Sequence, residues 1–214
     1  MYFTPAAFSV AVLVMTSQLS AAIIFNVGAT DSTGLEFANT VSDFTTPFNL
    51  AGTENAILGA PDHPGGNNPN VPQIADFGGG DLNSPWAVTV GFASEFSDGM
   101  GVDVKIFGVQ LNTTEGFELF ASGDGAAFTS LGTFSPTSAV NSTFAIEVDF
   151  NGAALPADSQ FLRFVGTEVP ISVSRGFDFD AVGVAHVTAT VPEPSTLLLA
   201  GVAGTCFWIR RRSQ

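Results

Sequence analysis

The chain has one cysteine in 214 residues, Cys206, and it lies close to the C-terminus. Disulfides and thiolate metal sites are therefore excluded from everything before it. Positive charge is almost as scarce: six Lys and Arg stand against 20 Asp and Glu, for a formal net charge of −14. Between residues 23 and 190 only Lys105, Arg163 and Arg175 face 19 acids. Such a balance repels nucleic acid and anionic lipid, and favours solubility and cation binding. Histidine occurs only as His63 and His186. His63 lies between Asp62 and Pro64 in a loop, and His186 sits in an apolar run, as a packed or edge residue rather than a general base. No Gly-x-Ser-x-Gly elbow, His-Glu-x-x-His pair or phosphate-binding Gly-x-x-x-x-Gly-Lys is present. A carboxylate pair for glycoside hydrolysis cannot be singled out among so many acids. No catalytic constellation is identifiable in the sequence.

What is abundant is phenylalanine, at 21 residues, with glycine at 23. Together with Val and Thr, and with few Lys, Gln or Arg, that composition predicts a β fold. The pattern agrees. Phe144, Ile146, Val148 and Phe150 alternate with Ala145, Glu147 and Asp149, the period of a half-buried strand. Trp86–Phe92, Val102–Phe107, Phe117–Phe120, Phe128–Phe134 and Phe161–Val165 read likewise. Turn chemistry separates them at Asp98-Gly99, Asp124-Gly125 and Asn151-Gly152. Seven or more short strands with frequent turns predict an all-β antiparallel sandwich. A long Gly- and Asn-rich loop from Gly59 to Ser84 is expected either to be functional or to lack order.

The two ends differ from this body. Residues 1–22 read as a secretory signal, with a mostly apolar Ala6–Met15 and small residues Ser20, Ala21 and Ala22 before Ile23. Only the amino terminus supplies positive charge ahead of it. Residues 191–214 begin with Val191, Pro192, Glu193, Pro194 and Ser195. An uncharged run from 195 to 209 follows, and then Arg210, Arg211 and Arg212. The prolines fix an extended lead, and the arginines suit the cytoplasmic side of a membrane. As a helix the run covers roughly 22 Å, against about 30 Å of hydrocarbon, so it is a marginal single span. The chain thus divides into a signal (1–22), a β-sandwich ectodomain (23–190) and a tail (191–214).

That tail resembles the PEP-CTERM sorting signal of exported bacterial proteins. The resemblance implies passage through the Sec export machinery, transient residence in the inner membrane, recognition and cleavage by exosortase, and association with exopolysaccharide or biofilm matrix. The resemblance covers about a tenth of the chain, and it concerns destination rather than activity.

Five ordered pieces of the body resemble a discoidin-like or galactose-binding-like jelly roll. They are Asn55–Asp62, Trp86–Phe92, Phe96–Phe107, Phe117–Gly125 and Gly176–Val182. The resemblance implies a non-enzymatic binder of glycans, in some members with a structural calcium. Independently of it, Asp98 and Asp103 flank a Gly-rich turn, and Asp178 and Asp180 share a strand face by their spacing of two. Calcium takes six to eight oxygens, so neither pair suffices alone; the two pairs together with Glu118 form a candidate site. The competing reading makes them turn residues and a solvated strand face. Trp86 and Arg175 are candidate ligand contacts, weighed against a core role for Trp86 and an internal ion pair for Arg175.

The expected function is an exported, non-catalytic surface or matrix protein that binds exopolysaccharide or another surface glycan. A polysaccharide hydrolase and a purely structural matrix protein are the alternatives.

Overall fold

The computed structural model describes residues 23–28, 30–45, 54–62, 75–76, 86–167 and 177–188. Within them the protein is all-β. The strands are β1 (Ile24–Gly28), β2 (Glu36–Phe37), β3 (Thr40–Thr45), β4 (Ala75–Asp76), β5 (Ala87–Gly91), β6 (Glu95–Phe96) and β7 (Val104–Leu111). After them come β8 (Phe117–Ser122), β9 (Thr129–Phe134), β10 (Val140–Asp149), β11 (Phe161–Gly166), β12 (Asp178–Val184) and β13 (Val187–Thr188). The one described helical turn is a 3-10 segment, Glu54–Ile57. Among the described residues no helix is long and apolar enough to cross a membrane. The signal, the apolar tail and most of the Gly59–Ser84 loop lie outside the described residues.

Two antiparallel sheets carry the fold. One has the order β1-β10-β7-β12-β2, with β4 also paired to β12; the other runs β3-β5-β11-β8-β9. A two-stranded ribbon, β13-β6, stands at one end. Every expected strand is present. The alternation in β10 puts Phe144, Ile146 and Val148 in the core, while Glu147 faces out to an ion pair with Lys105 on β7 at 2.9 Å.

Both sheets feed one hydrophobic cluster. Val88, Leu119, Leu162 and Phe164 come from one sheet, and Ile106, Ile146, Phe179 and Val182 from the other. Phenylalanines fill its centre: the Phe177 ring lies 5.5 Å from Phe117, 5.6 Å from Phe144 and 4.5 Å from Phe179. The first two contacts are edge-to-face, the geometry that the ring quadrupole favours, and each adds about 0.5–1.5 kcal/mol beyond area burial. Trp86 belongs here too. It is 2% exposed, with its ring 5.7 Å from Phe179, so it is a core residue and its face is closed to a surface ligand.

Strand β12 is buried along its whole length, acids included. Asp178 and Asp180 are 6% and 5% exposed, and Asp180 Oδ1 accepts the backbone N–H of Asp62 at 3.3 Å. The pair is thus an internal fixture beside the 54–62 segment, not a solvated strand face. Part of the long loop is also ordered, because β4 pairs with the start of β12 through Asp76 and Asp178.

Candidate functional site

One end of the molecule gathers the turn between β6 and β7, the turn after β10, and the turn joining β12 to β13. Asp103 holds the three together. Its Oδ1 accepts the N–H of Gly99 at 2.8 Å and its Oδ2 accepts the N–H of Phe150 at 2.7 Å. Its own N–H donates to Val148 O, and its carbonyl accepts from Ala185 N at 2.7 Å. With 1% exposure this carboxylate is shut away from water.

Two further acids converge on it. Oxygens of Asp98, Asp103 and Asp149 all lie within 4.8 Å of one another. Asp98 Oδ2 accepts from Gly152 N at 2.8 Å, and Asp149 Oδ1 from Asn151 N at 2.7 Å. Burial pushes the Asp103 carboxyl above its ordinary range, and the neighbouring Asp98 charge adds to that. The amides of Phe150 and Gly99 and the imidazole of His186 pull it the other way. His186 Nε2 is 3.9 Å from Asp103 Oδ1, and its ring lies flat enough on Gly99 that a Cβ there would come within 2.3 Å of it.

Each carboxylate of this trio accepts a backbone N–H, so the trio works as a clamp on three turns. Of the five acids expected to share a cation, only Asp98 and Asp103 meet. Glu118 lies on β8 in the other sheet, where it accepts a hydrogen bond from Ser130. Asp178 and Asp180 sit at the opposite end of β12 from Val184, the residue paired with Val104 beside Asp103. Four residues of strand, about 13 Å, separate Asp180 from that pair. The five-acid set is not assembled. Asp149 is the member that sequence reasoning missed. Its outward position was readable, but its meeting with Asp103 depends on the Val148–Val104 register between β10 and β7.

Beside the clamp lies an open cleft of about 390 Å³, bordered by Glu95, Phe96, Asp98, Leu155, Pro156 and Asp158. Its rim is acceptor-rich and its floor partly apolar. Such a surface can take hydrogen bonds from hydroxyl groups while an apolar ring face rests on Leu155 and Pro156. Arg175 and His63 lie outside the described residues.

The tail can be placed by comparison with known proteins. Residues 190–213 match the model of the PEP-CTERM protein-sorting motif. The chain carries that motif. It marks an exported protein that is processed at the membrane. No curated protein sequence matches the chain. Among solved structures it is similar to CpGH89CBM32-6 produced by Clostridium perfringens, at 10% identity and TM-score 0.34, covering 77% of this chain and 93% of that one. It is also similar to the C-terminal domain of a chitobiase from Bacteroides fragilis, at 13% identity and TM-score 0.39, covering 76% and 99%.

Proposed function

We propose that this PEP-CTERM protein is cut by exosortase after export and delivered to the cell surface or extracellular matrix, where its β body is a non-catalytic binder of exopolysaccharide. The sorting motif at residues 190–213 carries the first half of this reading. In that scheme the 195–209 run holds the chain in the inner membrane only until cleavage. The second half is supported by the cleft beside the Asp103 clamp. Glu95, Asp98 and Asp158 offer acceptors there to sugar hydroxyls, and Leu155 and Pro156 offer an apolar wall. Hydrolysis draws less support, because the clustered carboxylates of Asp98, Asp103 and Asp149 each accept a backbone N–H and serve the turns.

Mass spectrometry of the exported protein tests the sorting half. A C-terminus near Pro192 to Ser195 is the expected result, and an intact Arg212 on exported protein refutes processing. Incubation with the producer's own polysaccharide tests the binding half. Retention without release of reducing sugar is expected; release of reducing sugar identifies a hydrolase, and neither retention nor release identifies a structural matrix protein.

A further inference from the structure

The outer face of the five-stranded sheet carries an arginine that forms no ion pair among the described residues. On β11, Leu162 and Phe164 are fully buried in the shared core. The strand period of two therefore turns Arg163 to the opposite face. Register sets it between Thr89 on β5 and Phe120 on β8. Its guanidinium carbon lies 5.6 Å from the centroid of the Phe128 ring, which covers one face of the planar group. Its Nε–H is buried and has no hydrogen-bond partner. The ion pairs among the described residues are Lys105–Glu147 and His186–Asp103, so Arg163 takes part in neither.

This is an unusual state for a cation in a chain with a formal charge of −14. Carboxylates are plentiful, yet among the described residues none forms an ion pair with Arg163. The buried Nε–H is closed to a ligand, so an incoming acceptor meets the outer end of the guanidinium. Its outer end carries two Nη groups side by side, a fork that matches the two oxygens of one carboxylate. Phe128 blocks approach to one face of the plane, which leaves the edge as the direction of entry. Phe161 and Phe120, both half-buried on the same outward face, provide apolar surface on which a compact ring can rest.

We propose that Arg163, with Phe128 and the adjoining Phe120 and Phe161, is a binding site for a single carboxylate borne on a sugar ring, that is, a uronic-acid residue. The site lies on the sheet face, away from the acidic cleft. One carboxylate fits better than a run of them, because the surrounding acids repel any polyanion beyond the local contact, within a Debye length of about 8 Å at physiological salt. The saccharide source of that carboxylate rests on the exopolysaccharide reading above; the carboxylate preference itself rests on Arg163 alone.

Calorimetric titration of the purified full-length chain with glucuronate, glucose and acetate tests it. Glucuronate is expected to bind, acetate to bind more weakly, and glucose to be unaffected by changes at Arg163. Arg163→Gln is expected to weaken glucuronate binding by about tenfold or more, the loss that follows removal of one partner from a desolvated charge pair. Arg163→Lys should fall between, having charge without the fork. Phe128→Leu, which keeps the cation, should cost a few-fold, and thermal melting of each variant checks that it folds. Failure of glucuronate to bind, or equal binding by wild type and Arg163→Gln, overturns the site. Acetate binding as tightly as glucuronate overturns the sugar as its source. Glucuronate binding that Arg163→Gln abolishes, in a wild-type protein that does not adhere to the polysaccharide, keeps the Arg163 site while the polysaccharide reading fails.

Discussion

The Asp103 carboxylate reaches across the end of the six-stranded sheet to accept the backbone N–H of Phe150 at 2.7 Å, while its other oxygen takes the N–H of Gly99. Both oxygens are committed, the Phe150 N–H fully buried with its acceptor and the Gly99 N–H partly so. Asp103→Asn keeps the shape but turns an NH2 group toward one of those donors. One buried N–H is then unsatisfied, and the expected loss is about 1–3 kcal/mol in urea unfolding. An unchanged midpoint would show that the clamp contributes nothing to the fold.

The same residue sets a pH signature. Burial raises the Asp103 carboxyl in the folded protein above its unfolded value. Its contribution to stability is therefore fully present below the unfolded pKa and is lost as pH rises through the folded one. Asp31 and Asp124 act oppositely: hydrogen bonds to Thr33, and to Ala127, Ala126 and Ser122, lower them, so their contributions fade as pH falls. Those two are common to wild type and variant and cancel in the difference. The destabilisation caused by Asp103→Asn is thus expected to be larger at about pH 3.5 than at about pH 7. Denaturant melts of both proteins at the two pH values decide it, and a gap that widens toward neutral pH would reverse the sign.

The Phe177 ring is fully buried and touches Phe117, Phe144 and Phe179 from three directions. Phe177→Ala empties the middle of the shared cluster. The expected cost is about 3–5 kcal/mol, read from chemical denaturation. A loss under about 1 kcal/mol would mean that the two sheets collapse onto the gap and that the ring is peripheral.

How much of this was legible beforehand follows from the range of the interactions involved. Strands β7, β8, β10 and β11 were readable because Phe144, Ile146 and Val148, and likewise Leu162 and Phe164, alternate with half-buried or outward residues. Strands β1 to β3 were not. Their residues are largely exposed or half-buried, and their order comes from pairing with β10, β12 and β5. Asp178 and Asp180 looked like a surface pair because their local period fits one. Long-range packing, of the 54–62 segment and of β4 on β12, is what covers them. Asp149 entered the Asp103 trio through strand register, and Arg163 became notable only once its outward placement beside Phe128 was visible. Local period carried the strands, and long-range pairing carried the sites.

Gly108 marks where the β7–β12 pairing is tightest. A Cβ built on it would sit 2.5 Å from the backbone carbonyl oxygen of Asp178 and 2.8 Å from the Phe144 ring. The carbonyl belongs to β12, whose register with β7 shifts between Phe179 and Ala181, so the crowded atom is held by the ladder and cannot rotate away as a side chain would. Gly108→Ala must therefore push the start of β12 off β7 or move Phe144 within a packed core. An overpacking cost of about 1–3 kcal/mol is expected. The displacement should be local, so amide hydrogen exchange should quicken at Phe179 and Ala181 while Leu162 and Phe164 in the other sheet keep their protection. Uniform loss of protection across both sheets would instead mean that the two layers open as one unit.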